Sequence, residues 1–317
     1  MRTLCMLAIF ALCLPSFAAE SEKPYRKAEG DYHSHTHAEV TTTKKDGSTE
    51  TYQVNRQDRV EVEKDGATTS WHRDSKVVRS DGVHKDVTAD GQLTRDGEGG
   101  GEMHVTRRGD VTGKQGKERS KDSALDKRWK KNELGGHDTE RVVSTATSGG
   151  ESRVANTQRR SADVADDLTR FIQQTDVSSS KHGQSVKWET GQRKVNHFDK
   201  GYELRTDVVG WDDKGDRWTR EHSRQVAKHP DGAIEVLDVT AVKYKNDQPH
   251  YAVLRGTYRP VGNADKGKAG NVRGHWTFTG TLEKRDGNRV LQTREIKRQV
   301  KRLQVAHPDE MKDQGKK

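Results

Sequence analysis

Apolar and polar residues alternate with a period of two wherever apolar residues are dense enough to show a period. Val60 and Val62 are interleaved with Arg59, Glu61 and Glu63, which sends the valines to one face of an extended segment and the charges to the other. Further strand-length segments rich in Val, Thr, Tyr and Trp cover Thr36–Thr43, Ser48–Asn55, Ala67–Arg73 and Lys76–Arg79. Turn signals separate them. Asp-Gly occurs seven times, at Asp46, Asp65, Asp81, Asp90, Asp96, Asp231 and Asp286. A two-residue type I′ hairpin turn favours this dipeptide, because both central residues need φ > 0. The pattern predicts an all-β fold, mostly an antiparallel meander of hairpins.

Longer candidates follow toward the C-terminus: Tyr202–Trp211, Arg217–Ala227, Ala233–Tyr244, His250–Tyr258, Val272–Lys284 and Arg289–Leu303. Two stretches carry helical spacing instead. Asp122–Leu134 is one; in the other, Ser161–Thr175, Ser161 caps a turn and Val164, Leu168, Phe171 and Ile172 share a helical face. The glycine cluster Gly97, Gly99, Gly100 and Gly101 marks a boundary. The organisation expected is therefore a leader (1–18), an N-terminal polar hairpin region (19–120), a linker region with short helices and a hairpin (121–183), a C-terminal β domain (184–306) and a disordered tail (307–317). A repeat is also legible. Gly215-Asp216-Arg217 leads into Thr219-Arg220-Glu221 and Arg224-Gln225-Val226, and Gly287-Asn288-Arg289 leads into Thr293-Arg294-Glu295 and Arg298-Gln299-Val300.

The leader has the features of an export signal. Arg2 supplies a positive start, Thr3 to Leu14 is almost unbroken apolar sequence, and Ser16-Phe17-Ala18 offers small residues for cleavage before Ala19. The apolar run is too short to serve as a helical anchor. Both cysteines, Cys5 and Cys13, lie inside this leader, so a processed chain has no disulfides, thiol chemistry or Cys-based zinc sites. A periplasmic or secreted location follows as the expectation.

Composition narrows the picture further. Hydrophobic residues make up 29% of the chain, against about 45–50% in ordinary globular proteins. The core must therefore be thin. The net charge of +9 favours an anionic polymer or envelope component as partner, such as lipopolysaccharide, acidic polysaccharide or nucleic acid. An outer-membrane barrel is not expected. A lipid-facing strand needs an apolar residue at every second position, whereas in Arg289–Leu303 one face carries Arg294 and Arg298 and the other Glu295 and Lys297. No integral membrane span is expected either.

Two constellations could carry chemistry. His33, His35 and His37 fall on one face of an extended segment and form a candidate Zn, Cu or Ni site. Trp211, Trp218, Arg220, Arg224, Arg294 and Arg298 form a candidate basic, aromatic-studded binding face. No G-x-S-x-G elbow, P-loop, H-E-x-x-H or dinucleotide fingerprint occurs, so an enzyme is not expected and no catalytic residue or obligatory cofactor is assigned. The function expected is that of an exported, non-catalytic binding or structural protein of the envelope that contacts polyanions. The alternatives are a periplasmic metal-binding protein using the histidine strand and, third, an exported hydrolase. Circular dichroism of the processed chain checks the β-rich reading: a sheet spectrum is expected, and a random-coil spectrum overturns it.

Overall fold

A computed structural model of the chain describes residues 30–63, 67–245, 247–261 and 274–305. The expected leader (1–18), the expected tail (307–317) and the Asp65-Gly66 turn signal lie outside the described residues. Every regular element among the described residues is a strand. In chain order these are β1 (Gly30–Lys44), β2 (Thr49–Val62), β3 (Thr68–Arg79), β4 (His84–Arg95), β5 (Gly101–Thr112), β6 (Glu118–Lys131), β7 (His137–Thr147) and β8 (Ser152–Ala165). They continue as β9 (Leu168–Ser179), β10 (Gly183–Phe198), β11 (Gly201–Trp211), β12 (Arg217–Lys228), β13 (Ile234–Tyr244), β14 (His250–Pro260), β15 (Gly274–Asp286) and β16 (Arg289–Val305). Each pairs antiparallel with the next, and β1 pairs with β16 from Asp31↔Val305 to Lys44↔Gln292, which closes the sheet into a barrel.

The turns explain the recurrence of Asp-Gly. Between β1 and β2 the Gly47 amide donates to the Lys44 carbonyl at 3.0 Å and the Lys44 amide to the Ser48 carbonyl at 2.9 Å, closing a three-residue loop. Gly47 takes the left-handed conformation, φ +79°, that this loop type requires. Asp46 secures it by accepting from the Ser48 amide and hydroxyl at 2.9 and 2.6 Å. The same aspartate-to-amide bond recurs at Asp81–Val83 and Asp231–Ala233. The loop is thus one residue longer than the type I′ turn expected from sequence. Asp90-Gly91 is not a turn at all. It lies inside β4, where a Cβ on Gly91 would sit 2.1 Å from the Trp71 indole.

Directly opposed residues in a sheet share a face, so one register chain defines each side of the wall. Ala38, Val54, Val77, Lys85, Val111 and Arg119 are successive partners across β1 to β6. This face is the concave one. On it, Arg220 of β12 approaches Glu189 of β10 to 3.9 Å across the intervening β11; such convergence happens inside a curved wall, not outside it. Nearly all buried apolar side chains lie here. One cluster, Val40, Val226, Ile234, Val236, Tyr258, Phe278, Leu282 and Ile296, runs along the inner wall from β12 through β16 to β1. Phe278 is its centre at 2% exposure, with the Tyr258 ring 4.6 Å away. The backbone of each described strand approaches only the two strands it is hydrogen-bonded to, so no strand backbone crosses the interior.

Several sequence expectations are corrected here. The all-β meander of hairpins is present, but it is closed. The expected helices are absent from the described residues: Asp122–Leu134 is mostly β6, and Ser161–Thr175 spans the end of β8, a tight connection and β9. Phe171 points inward and pairs with Ser161, while its neighbour Ile172 points outward and is 61% exposed. The supposed helical face is therefore divided between the two sides of the wall. The repeat also dissolves. Its copies are the single strands β12 and β16 with the turns before them, the generic hairpin unit of this barrel. The sequence argument against a barrel failed because closure depends on strand pairing and curvature, neither of which requires an apolar outer face.

Truncating Phe278 to Ala is expected to cost about 3–5 kcal/mol, whereas Val78→Ala at an exposed position should stay within about 0.5 kcal/mol. Denaturant unfolding followed by circular dichroism measures both, and equal losses would contradict the inner-wall core.

Candidate functional site

The inner wall divides into two arcs of different chemistry. From β12 through β16 to β2 it is mostly the apolar cluster; from β4 to β12 it is basic. Lys85, Arg107 and Lys121 lie close enough on β4, β5 and β6 to act on one another's charge. Lys127, Arg141 and Arg159 form a second group on β6, β7 and β8, and Arg159 is in turn within range of Arg193 and Arg220. The last two groups share Arg159, and all three lie on the inner face between β4 and β12. The inward carboxylates of this basic band are Glu189 on β10 and, near the β8 end, Asp163.

Glycines shape this band. Trp71 faces Gly91, Trp129 faces Gly101, Phe171 faces Gly191 and Trp218 faces Gly210 as direct cross-strand partners. A Cβ on Gly210 would lie 2.3 Å from the Trp218 indole. The missing side chain lets that ring lie flat on the neighbouring strand instead of standing into the interior. It also clears the path over β11 along which Arg220 reaches Glu189. The Arg159 guanidinium stacks 3.9 Å from the centroid of the Phe171 ring. Aromatic bulk is thereby held on the wall and the cations line the opening.

Asp58 and Asp238 each clasp inward arginines. Asp58, with 9% side-chain exposure, accepts from Arg56 Nε at 2.7 Å, Arg73 Nε at 2.6 Å and the Ser34 hydroxyl at 3.0 Å. On the far side of the seam, Asp238 accepts from Arg224 Nε at 2.8 Å and lies 3.1 Å from His222 Nε2. Paired and hydrogen-bonded in this way, the buried charges are compensated. At one rim, the Asp81 turn binds Lys114 of the β5–β6 turn at 3.0 Å and Arg79 at 2.8 Å. These cations, Lys114 first, hold the Asp81 carboxyl below its ordinary value.

Of the candidate binding residues, Trp218, Arg220 and Arg224 face inward on β12 and Arg294 and Arg298 face inward on β16, whereas Trp211 points outward. The structure thus places two arginine pairs on one interior surface but on different arcs. His33, His35 and His37 are exposed on the outer face of β1, and His37 Nδ1 sits 2.7 Å from Asn55 Oδ1. Among the described residues no three His, Cys, Asp or Glu side chains are grouped to hold a metal. Sequence reading missed Asp58, Arg56, Arg73 and the cations of β4 to β10. The available signal was parity: these residues share the face of the periodic valines once each turn is located.

The outer face is polar and largely paired. His72 bridges Asp90 at 2.7 Å and Asp74 at 2.9 Å, His104 meets Asp126 at 2.6 Å, and Arg205 meets Asp207 at 3.1 Å. Exposed apolar residues gather on β9 to β11 as Ile172, Trp188 and Trp211.

No protein-family model matches this chain, and no curated protein matches it. Among solved structures, CdiB from Acinetobacter baumannii is similar, with a TM-score of 0.54 at 5% identity over 85% of this chain. The chain spans 60% of the length of that structure. OccD3 (OpdP) of Pseudomonas aeruginosa is similar at a TM-score of 0.45 and 5% identity, covering 88% of this chain and 92% of that one. The likeness to CdiB extends to the fold.

A closed antiparallel barrel is the form in which strands cross an outer membrane, since closure leaves no unpaired backbone edge. The exported polyanion-binding or structural protein expected from sequence is therefore replaced by a barrel of outer-membrane type. With it fall the periplasmic or secreted location, the soluble partner of anionic polymer, and the expectation of no integral membrane span. The physical reason is the same in each case. Composition reports how polar the faces are, while closure decides whether the sheet has an inside.

Proposed function

We propose that this chain is an outer-membrane barrel pore whose basic interior passes small anions and carries out no chemistry on them. The observation that carries this reading is the inward cationic band from Lys85 to Arg220, facing an interior that no described strand crosses. Rings of Arg and Lys select anions by lowering the electrostatic barrier to their entry. The shortest strands have 11 residues, enough for the ~9–11 that a tilted strand needs to cross a bilayer. Screening sets the range of the effect. At physiological ionic strength charge is felt over about 8 Å, so the groups act as separate stations along the wall, not as one long-range field.

The outer face departs from the usual apolar band of such barrels. It carries paired charges, with Ile172, Trp188 and Trp211 as its apolar sector. Membrane insertion is therefore the step at which the proposal is most exposed, and it is tested first.

Expressed with its leader, the protein should fractionate with outer membranes. Reconstituted in a planar bilayer across a potassium chloride gradient, it should give a reversal potential on the chloride side. That preference should shrink as salt is raised and should fall when Lys127, Arg141 and Arg159 are changed together to Gln. A folded barrel that stays in the soluble fraction and gives no conductance, or that prefers cations, would overturn the reading.

A further inference from the structure

At the barrel seam one buried cation, Arg298, has no carboxylate bonded to it among the described residues. Arg298 on β16 is 8% exposed, and its Nε has no hydrogen-bond partner. Its guanidinium lies 5.4 Å from the Phe278 ring centroid, a contact that supplies no acceptor. Arg294, four residues earlier and separated from it on the inner face by Ile296, also has an unpartnered Nε, but it lies at the level of Thr42 and Glu50. On the other side of β1, Arg56 and Arg73 share the single carboxylate of Asp58. Arg56 is near enough to Arg298 to be repelled by it. Between them the wall is formed by Thr36 and Ala38, whose short side chains are covered by their surroundings to 7% and 3% exposure.

Like charges gathered in a partly dry wall are costly unless an anion is present. Guanidinium groups recognise carboxylate and phosphate oxygens through paired N–H donors. We propose that Arg56, Arg73 and Arg298 form a binding site for one small oxyanion, a carboxylate or phosphate group, seated between them at the β16–β1–β2 seam. The anion accepts from the unpartnered donor of Arg298 and from the guanidinium edges that Asp58 does not occupy. This deepens the pore reading, on which it rests only for the route by which the anion arrives.

The test uses calorimetry on the purified full chain outside a membrane, with inorganic phosphate or acetate as probe and chloride keeping ionic strength constant. Saturable binding with one site per chain is expected for at least one oxyanion. Losing one charge-assisted hydrogen bond corresponds to about a 10–100-fold weakening, and that range is expected for Arg298→Gln. Arg205→Gln, on the outer face beside Asp207, should bind as the parent does. Arg298→Lys keeps the charge but loses the planar fork, so a folded Lys variant should still bind more weakly than the parent. Ala38→Glu provides a tethered carboxylate in the same place; it should abolish oxyanion binding and raise the unfolding midpoint. The site is overturned if the parent shows no saturable binding, if chloride competes as an equal, or if Arg298→Lys and Ala38→Glu both bind as the parent does. A barrel that binds phosphate but does not conduct removes the pore and leaves the site. A conducting barrel without saturable binding removes the site alone.

Discussion

Everything else in this structure depends on the pairing of β1 with β16. Their closest paired residues in sequence, Lys44 and Gln292, are 248 positions apart. Joining chain ends at that separation costs about 5 kcal/mol in loop-closure entropy, from (3/2)RT ln n. A backbone hydrogen bond contributes about 1 kcal/mol net, and the seam runs continuously from Asp31↔Val305 to Lys44↔Gln292. The ladder therefore outweighs the closure cost without a large apolar core. Closure also removes both sheet edges.

Closure gives the two faces different fates. Outer side chains diverge into their surroundings, and their ion pairs are exposed; pairs of that kind contribute about 0–1 kcal/mol each. Inner side chains converge, so modest valines and a few aromatic residues reach real burial, with Phe278 at 2% exposure. The thin core implied by composition is adequate because it is concentrated on one concave arc. The same convergence concentrates cations on the other arc, and there Gly210 and Gly91 let tryptophan rings lie flat instead of filling the opening.

Much of this was readable in advance. The alternation around Val60 and Val62 and the Asp-Gly turns at Asp46, Asp81 and Asp231 all appear where local sequence puts them. Local signals failed where two explanations fit the same residues. Ser161–Thr175 has apolar residues at helical spacing, but Phe171 and Ile172 also suit opposite faces of one strand, and pairing with β8 and β10 on both sides decided the outcome. Asp90-Gly91 reads as a turn until Trp71 is laid over it from the next strand. Arg220, Arg224, Arg294 and Arg298 stood out as basic positions near aromatic residues. Nothing local distinguished Arg56, Arg73 or Arg159 from the many other cations of the chain.

The sequence by itself determined the strands, their turns and the parity that sorts side chains onto two faces, because these follow from steric limits within a few residues. It did not determine which face is inside. That required knowing that the last strand returns to the first, a contact with no local signature. Only the tertiary structure turned two polar sheet faces into an ion-paired exterior and an interior with one apolar and one cationic arc, because curvature brings together side chains that lie strands apart.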